Sequence, residues 1–416
     1  MKKYITQIRR RNIVILLLLI LVYLGNSMFT PQHHSGNLPV EMMQDEKIFA
    51  GSSSCASCHK EIFQQHIKTA HYIDSRPASK EFIKGSFQTG KNRYVYNKFL
   101  EVVLEKKKNR FYQTAYVSGE VSQSESFDVV IGSGRKGQTY LYWRDDKLFQ
   151  LPVSYYTPTN SWVNSPGFAT NFIHFDRQIP AQCLECHGTY AKAEDKLDNL
   201  STFDRNQIMY GVDCERCHGP AAEHVRFQSS HPNEKAKYII NARHLSRQQR
   251  LDACALCHSG FRTGTKPAFS FMVGDKLDDF STTNYSPDSV AVLDVHGNQY
   301  GLLTASKCFK MSAEMDCSSC HDPHKNEFNS PKIFSQKCMS CHTEALHNTC
   351  TIPAKKGLVL SDNCIDCHMP LLASSKILLE LSNASQAIPD EVRTHRIAVY
   401  EQKSREFLKK KGLLSN

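Results

Sequence analysis

The chain of 416 residues has only two tryptophans, and its 20 glycines and 16 prolines are too few for a collagen-like or low-complexity architecture. Its longest apolar run, residues 13–24, has about 12 residues, short of the ~20 needed to span a bilayer squarely. With 40% hydrophobic and 22% charged residues, the chain is not a disordered tail protein. Its length is sufficient for two or three domains with apolar cores.

The middle of the sequence also lacks an excess of basic residues, although the formal net charge of the whole chain is +10. Residues 1–24 contain five Lys or Arg and no acid, and the segment from Arg393 to the end contains seven Lys or Arg against two Glu. The residues between these two ends therefore carry no net charge. A nucleic-acid-binding domain would need a concentrated basic surface, so nucleic acid is excluded as a partner.

The amino terminus has the pattern of an export signal. Arg9, Arg10 and Arg11 precede the apolar run, as charged residues do in a secretory signal peptide. We therefore predict that residues 1–29 form either a cleaved signal peptide or an N-terminal membrane anchor, and that residues 30–50 form a spacer. A buried core helix is the less favoured alternative, because the arginines stand directly before the run.

Sixteen cysteines are many for a cytosolic enzyme, and 14 of them follow one repeated pattern, C-x-x-C-H. Roughly 0.03 copies of this pattern would be expected by chance at this composition. Seven copies therefore cannot be accidental. They are Cys55, Cys58 and His59; Cys183, Cys186 and His187; Cys214, Cys217 and His218; Cys254, Cys257 and His258; Cys317, Cys320 and His321; Cys338, Cys341 and His342; and Cys364, Cys367 and His368.

The spacing of this motif suits covalent attachment of haem. Two cysteines three residues apart lie on one side of a helical turn, where each thiol can form a thioether with one haem vinyl group. The histidine that follows is then placed to bind the iron as its proximal ligand. Zinc sites and disulfides also use cysteine pairs, but neither requires a histidine after every second cysteine. We predict seven covalently attached c-type haems.

Twelve of the 19 histidines lie outside the motifs and can supply the second axial ligand of each iron. Ligation by two histidines would give haems of low potential, because an axial methionine raises the potential. His66, His231 and His244 are the less favoured candidates. The predicted distal ligands are His71, His174, His224, His296, His324, His347 and His395.

The surroundings of several motifs are similar to those of a known group of proteins. The matching stretches are residues 51–60, 214–220, 306–309, 317–324, 364–370 and 393–397. Over residues 51 to about 397 the chain resembles the cytochrome c-554-like multihaem c-type cytochromes, a group related to hydroxylamine oxidoreductase and octahaem reductases. The resemblance strengthens His296 and His395 as ligands. Because the group includes electron carriers and enzymes, it does not decide between them.

The intervals between the motifs predict how the chain is organised. Residues 51–89 form a first haem segment, residues 90–165 a β-rich insert, residues 166–397 a six-haem core, and residues 398–416 a basic C-terminal helix or tail. So little chain separates the six later motifs that the haems must supply much of the core. The predicted fold is mainly α with long loops around closely stacked haems, with the β-rich insert between the first and second haem.

Two cysteines, Cys308 and Cys350, lie outside the motifs. They bracket the fifth and sixth motifs, and in an oxidising compartment a disulfide between them is the natural expectation. Closing a loop of this length would stabilise the fold by roughly 4 kcal/mol in the chain-entropy model.

Export and covalent haem together predict a periplasmic protein, either released or anchored to the cytoplasmic membrane by residues 1–29. The favoured function is electron transfer along the haems between a membrane quinol system and a periplasmic redox partner. The alternative is a multihaem oxidoreductase in which one haem with an open coordination position acts on a small nitrogen or sulfur compound. No C-x-x-C-K motif occurs, which argues against a typical nitrite reductase. No catalytic residue can be assigned.

The motif count predicts seven haems per chain. A pyridine haemochrome assay referred to protein concentration should give this number, and the haem should resist acid–acetone extraction because thioethers hold it covalently. A count below seven would contradict the motif assignment, and extractable haem would contradict covalent attachment.

Overall fold

A computed structural model describes residues 48–196, 200–285, 293–327, 331–343, 350, 360–383 and 386–413. The N-terminal segment 1–29, predicted to be a signal or anchor, and the candidate ligand His347 lie outside the described residues. Helix and strand occupy nearly equal shares of the chain, 28% and 29%. The prediction of a mainly α fold is therefore wrong, and the fold is a mixture of short helices and antiparallel strands.

Much of the β structure lies between the first and second motifs. The strands there are β1 Ser75–Pro77, β2 Arg93–Asn97, β3 Leu100–Lys107, β4 Arg110–Val117, β5 Glu120–Ser126, β6 Val129–Ile131, β7 Gly137–Arg144, β8 Lys147–Gln150, β9 Val153–Tyr156 and β10 Ser161–Asn164. Strands β7 and β8 form an antiparallel hairpin, and Asp145 has a positive φ of 54° in its two-residue turn. Strand β1 comes from the first haem segment, so this structure begins before residue 90.

These strands form two sheets that share one apolar core. Strands β2 to β5 form a four-stranded antiparallel sheet in chain order, and the others form a six-stranded sheet ordered β1-β6-β7-β9-β10, with β8 paired to β7. Val102 and Leu104 of β3 belong to the same buried cluster as Tyr140 of β7 and Val153 of β9. We refer to these two sheets as the β insert. It has a hydrophobic core of its own, built without haem.

Three more hairpins occur among the later motifs, and they explain why helix does not dominate. They are β11 Gly188–Lys196 with β12 Leu200–Tyr210, β13 Arg262–Gly264 with β14 Ser281–Thr283, and β15 Leu371–Leu379 with β16 Ile388–Arg393. Strand β11 begins directly after His187, and β15 begins three residues after His368. The chain leaves these motifs as paired strand, which satisfies its backbone hydrogen bonds without a long helix.

The helices are short, and several of them contain a motif. They are α1 Ser52–Cys55, α2 Lys60–His66, α3 Ala181–His187, α4 Cys214–His218, α5 Ala222–Ser230, α6 Arg247–His258, α7 Gln299–Thr304, α8 Lys307–Met311, α9 Pro331–Met339, α10 Cys364–His368 and α11 Glu401–Lys410. A capping box formed by Ser246 and Gln249 begins α6. Gly219 follows α4 with a φ of +75°, a conformation that side chains disfavour, and so turns the chain directly after the third motif.

In the part of the chain that the structure describes, we find no helix with the length and apolar character needed to cross a membrane. The helix expected within residues 398–416 is α11. It buries Leu408, half-buries Phe407 and packs against α10, while its charged side chains face outward. The basic C-terminal segment is thus attached to the seventh motif.

One buried carboxylate connects the β insert to the C-terminal hairpin. Asp390 of β16 accepts hydrogen bonds from Lys136 Nζ at 2.8 Å and from the Tyr156 hydroxyl at 2.7 Å, both in the insert. Its second oxygen lies 3.5 Å from Nδ1 of His296. Burial alone would raise the pKa of Asp390, but these three partners outweigh burial and hold the pKa well below its usual range. The carboxylate is therefore charged at neutral pH.

Asp390→Asn should lower the free energy of unfolding by about 1–3 kcal/mol, because Lys136 and Tyr156 lose a charged acceptor in a buried position. The full loss of free energy of unfolding should be seen at pH 7. The loss should become smaller as the pH falls below about 4, because protonation of Asp390 then removes the same contribution from the unmodified protein. Thermal unfolding followed by circular dichroism measures both effects. Asp278→Asn is the control, because Asp278 pairs with Arg262 but is 71% exposed. Equal destabilisation by the two variants would contradict the role of Asp390.

Candidate haem-binding sites

The motifs adopt the helical turn that haem attachment requires. The N–H of His59 donates to the carbonyl of Cys55 at 2.8 Å, and that of His321 donates to Cys317 at 2.9 Å. Helices α4 and α10 coincide with the third and seventh motifs. Such bonds across one turn place both thiols on the same side, with the imidazole beside them.

Thiols of different motifs lie close enough to perturb one another's pKa. The pairs in which this effect is largest are Cys55 with Cys214, Cys186 with Cys257, Cys254 with Cys317, and Cys338 with Cys364. A smaller electrostatic effect links the third motif to the fourth, through Cys217 and Cys254, and the fifth to the sixth, through Cys320 and Cys338. The motifs are therefore neighbours in the order 1–3–4–5–6–7, and the second motif is a neighbour of the fourth.

Three motif histidines face a histidine from a distant part of the chain. A metal–imidazole bond of about 2 Å on each side of an iron places two axial rings roughly 6 Å apart. The observed separations between ring centroids match this distance, and the first pair is nearly parallel, with 18° between the ring planes. These contacts bring three predicted distal ligands next to the histidines of the third, fourth and fifth motifs, and their assignment as ligands stays a prediction. The pairs are His218 with His324 (6.0 Å), His258 with His71 (6.1 Å) and His321 with His395 (6.1 Å).

Several motif histidines direct Nδ1 towards an acceptor and leave Nε2 for the iron. A histidine that binds a metal usually donates its other ring N–H in this way, which fixes the orientation of the ring. The side chains thus fit coordination through Nε2. The Nδ1 contacts are His187 with the Asp74 carboxylate (2.6 Å), His218 with the Ile240 carbonyl (2.8 Å), His368 with the Ala398 carbonyl (2.9 Å) and His258 with Gln299 Oε1 (3.4 Å).

Two of the paired distal histidines are held in the neutral form that binds metals. Desolvation, followed by the charge of His321, lowers the pKa of His395 to about 4. Desolvation, followed by the charge of His258, lowers the pKa of His71 to about 4. Nδ1 of His395 is buried without a hydrogen-bond partner among the described residues. At neutral pH both rings therefore carry a lone pair, and coordination needs no deprotonation.

Three other predicted ligands are not brought into such pairs by the structure. His174 bonds Asp176 at 2.6 Å and stacks on Phe168. Nδ1 of His224 faces the carbonyl of Lys237, and Nδ1 of His296 faces Asp390, as described above. In each case Nε2 is left available, so all three stay predictions.

The sequence made His66 one of the less favoured candidates for a distal ligand, but it is one of the most enclosed histidines described. It is 7% exposed, and neither ring nitrogen has a hydrogen-bond partner among the described residues. Its Nε2 lies 3.6 Å from Asp213, and its ring lies 6.2 Å from that of His324. His66, Asp213 and Cys214 could together approach a metal ion. Since Cys214 belongs to the third motif, haem attachment uses the thiol that such an ion would need.

The two cysteines outside the motifs are not joined in the structure. Cys308 is half-buried in α8 and interacts with Cys341 of the sixth motif. Cys350 is exposed and interacts with Cys367 of the seventh motif. The two thiols thus have different neighbours, and the disulfide between them stays a prediction.

A buried glutamate inside the third motif holds the start of the first. Glu215 is 4% exposed, and its carboxylate accepts hydrogen bonds from the N–H groups of Ala50, Gly51 and Ala221 at 2.8–2.9 Å. The first two bonds fix the chain just before α1. No sequence signal distinguishes this glutamate from the exposed ones that are the rule.

A second contact joins the second motif to the third. Arg216 donates to the carbonyl of Glu185 at 3.1 Å, and its guanidinium lies 3.8 Å from the Glu185 carboxylate. Burial raises the pKa of Glu185, although the charge of Arg216 acts in the opposite direction. Both residues stand between the cysteines of their motifs, so they set the distance between the two turns.

These features fit covalent haem better than zinc. The motif turns, the imidazole pairs and the Nδ1 acceptors are all accounted for by an iron between two histidines. When bound, haem supplies one-electron chemistry at a potential set by the axial ligands and by their hydrogen bonds. The cysteines would anchor the group through thioethers, and the Nδ1 contacts would orient the imidazoles.

His395→Ala should convert one low-spin haem to a high-spin haem, because the fifth motif would lose its distal ligand. The oxidised protein should show a new high-spin EPR signal, and the reduced protein should bind carbon monoxide. His231→Ala is the control, because His231 is exposed and stacks on Phe227. A His395→Ala protein that stays low-spin would contradict the pairing of His321 with His395.

Comparisons with known proteins agree with this site. A family model described as "Cytochrome c554 and c-prime" matches residues 169–219, which contain the second and third motifs. The chain is 25% identical over 194 residues to a protein called multihaem cytochrome MtrA from Shewanella baltica (strain OS185). That match covers 45% of this chain and 51% of the relative, so it spans about half of the relative's length.

The fold is similar to that in the crystal structure of the outer cell wall cytochrome OcwA. The TM-score is 0.52, and the likeness covers 86% of this chain and 81% of the other at 15% identity. This likeness concerns the fold alone. The family match, the relative and the repeated haem-attachment turns agree with one another, and we conclude that the chain is a multihaem c-type cytochrome.

Proposed function

We propose that the chain is an exported heptahaem cytochrome that carries electrons from a membrane quinol system to a periplasmic redox partner. The observation that supports this most directly is that the thiols of successive motifs, from the first through the third, fourth, fifth and sixth to the seventh, lie close enough to act electrostatically on one another. Because the motifs anchor the haems, neighbouring motifs imply neighbouring haems. A continuous series is what a relay needs.

The histidine pairs support a carrier rather than an enzyme. In the proposed ligation, His218 with His324 and His258 with His71 would occupy both axial positions of an iron and leave no place for a substrate. An oxidoreductase that acts on a small nitrogen or sulfur compound would need at least one open axial position. We therefore propose ligation by two histidines throughout, including the motifs whose distal ligand is one of His174, His224, His296 or His347.

Features of the N-terminal and C-terminal segments support a location and a type of partner for the cytochrome. Residues 1–29 carry the export pattern, and covalent haem is typical of proteins outside the cytoplasm. We propose that the cytochrome works in the periplasm, either released or held at the cytoplasmic membrane by this segment. The basic residues of α11 lie beside the seventh motif, which offers an acidic redox partner a place to bind.

Spectroscopy of the oxidised protein tests this function. We expect seven low-spin haems and no high-spin component, and we expect nitrite, hydroxylamine and sulfite to leave the EPR spectrum unchanged. The reduced protein should pass its electrons to a soluble acceptor in a single rapid phase. A high-spin signal that responds to one of these compounds would replace the carrier by an oxidoreductase.

A further inference from the structure

Asp74 lies where two motifs and the β insert meet. Its carboxylate oxygen Oδ2 is 2.6 Å from Nδ1 of His187 in the second motif. Its backbone carbonyl accepts a bond from the N–H of Gly132, which follows β6, and its N–H donates to the carbonyl of His71 at 3.2 Å. The neighbouring Ser75 donates its hydroxyl to the carbonyl of His187. The carboxylate is therefore held in place from several directions.

The other motif histidines with a described Nδ1 hydrogen bond use a neutral acceptor. For His218 and His368 this acceptor is a backbone carbonyl, and for His258 it is the amide of Gln299. A carboxylate also lies near His321, but Glu327 is 3.7 Å from its Nδ1, beyond hydrogen-bond distance. Within this set, His187 alone is hydrogen-bonded to a full negative charge.

We propose that Asp74 is a positioning residue that makes His187 more electron-donating than His218, His258 and His368, and so lowers the reduction potential of the second motif's haem relative to theirs. This inference rests on the proposed function. A carboxylate that accepts a hydrogen bond from Nδ1–H makes the imidazole a more basic ligand and favours the oxidised state of the metal. A neutral carbonyl acceptor increases the basicity of the imidazole less.

The position of the second motif gives this potential a consequence. The motif is a neighbour of the third through Glu185 and Arg216 and of the fourth through Cys186 and Cys257. A lower potential there makes this haem a less favourable site for an electron than the haems of these two neighbouring motifs.

An EPR-monitored redox titration of the isolated holoprotein tests the proposal. In Asp74→Asn and Asp74→Ser one component should shift to higher potential by more than any other, and a smaller shift is expected for the fourth motif, whose His258 and His71 also feel the charge of Asp74. Asp74→Glu retains the charge and should leave that component at its original potential. Glu327→Gln is the matched control, since its carboxylate is not hydrogen-bonded to the motif histidine, and it should give a much smaller shift.

The proposal is wrong if both neutral variants leave every component unchanged, if Glu327→Gln shifts a component as far as Asp74→Asn does, or if Asp74→Glu behaves like the neutral variants. Haem content and circular dichroism, measured on each variant, show that it is folded and loaded. The titration needs no physiological partner. The titration can therefore support the role of Asp74 even if the protein proves not to be an electron carrier. If the titration contradicts that role, the evidence for an electron carrier is unchanged.

Discussion

The fixed geometry of the C-x-x-C-H turn is the constraint on which the rest of the structure depends. Each turn sets two thiols and an imidazole side by side, and the short intervals between turns bring thiols such as Cys254 and Cys317 into contact. Little chain is left to build an apolar core between them. The large described cluster, around Tyr140 and Trp162, belongs to the β insert, whereas the cluster around Leu256 in α6 is small. We infer that attached haem supplies the missing apolar surface.

Carboxylates connect segments that apolar packing would connect elsewhere. Glu215 joins the third motif to the first, Asp390 joins the insert to the C-terminal hairpin, and Asp74 joins the second motif to the insert. Glu215 and Asp390 are buried and Asp74 is partly exposed, and each has partners for its charge. Such contacts are directional, so they define distances between segments more closely than apolar contacts could. Distances between segments are what a series of redox centres requires.

The sequence predicted local structure well where the pattern was local. The sequence predicted a β-rich insert over residues 90–165, and strands β2 to β10 lie in this range. The mainly α prediction failed at β11, β12 and β15. Strand β11 carries the charged residues Lys192, Glu194 and Asp195, which give a weak strand signal. These hairpins exist because two segments pair with each other, and neither segment alone shows the pattern.

The sequence by itself determined the chemistry. The motif predicts the cofactor class, the proximal ligands and the covalent anchors, because thioether formation needs residues at a fixed, short spacing. Only the tertiary structure shows, for three motifs, which histidine from a distant part of the chain faces the motif histidine, and which motifs are neighbours. His71 pairs with His258, far along the chain, while the nearer His66 lies beside Asp213. The same holds for Asp74 and His187. Contacts of this kind arise from the packing of whole segments, and no local spacing encodes them.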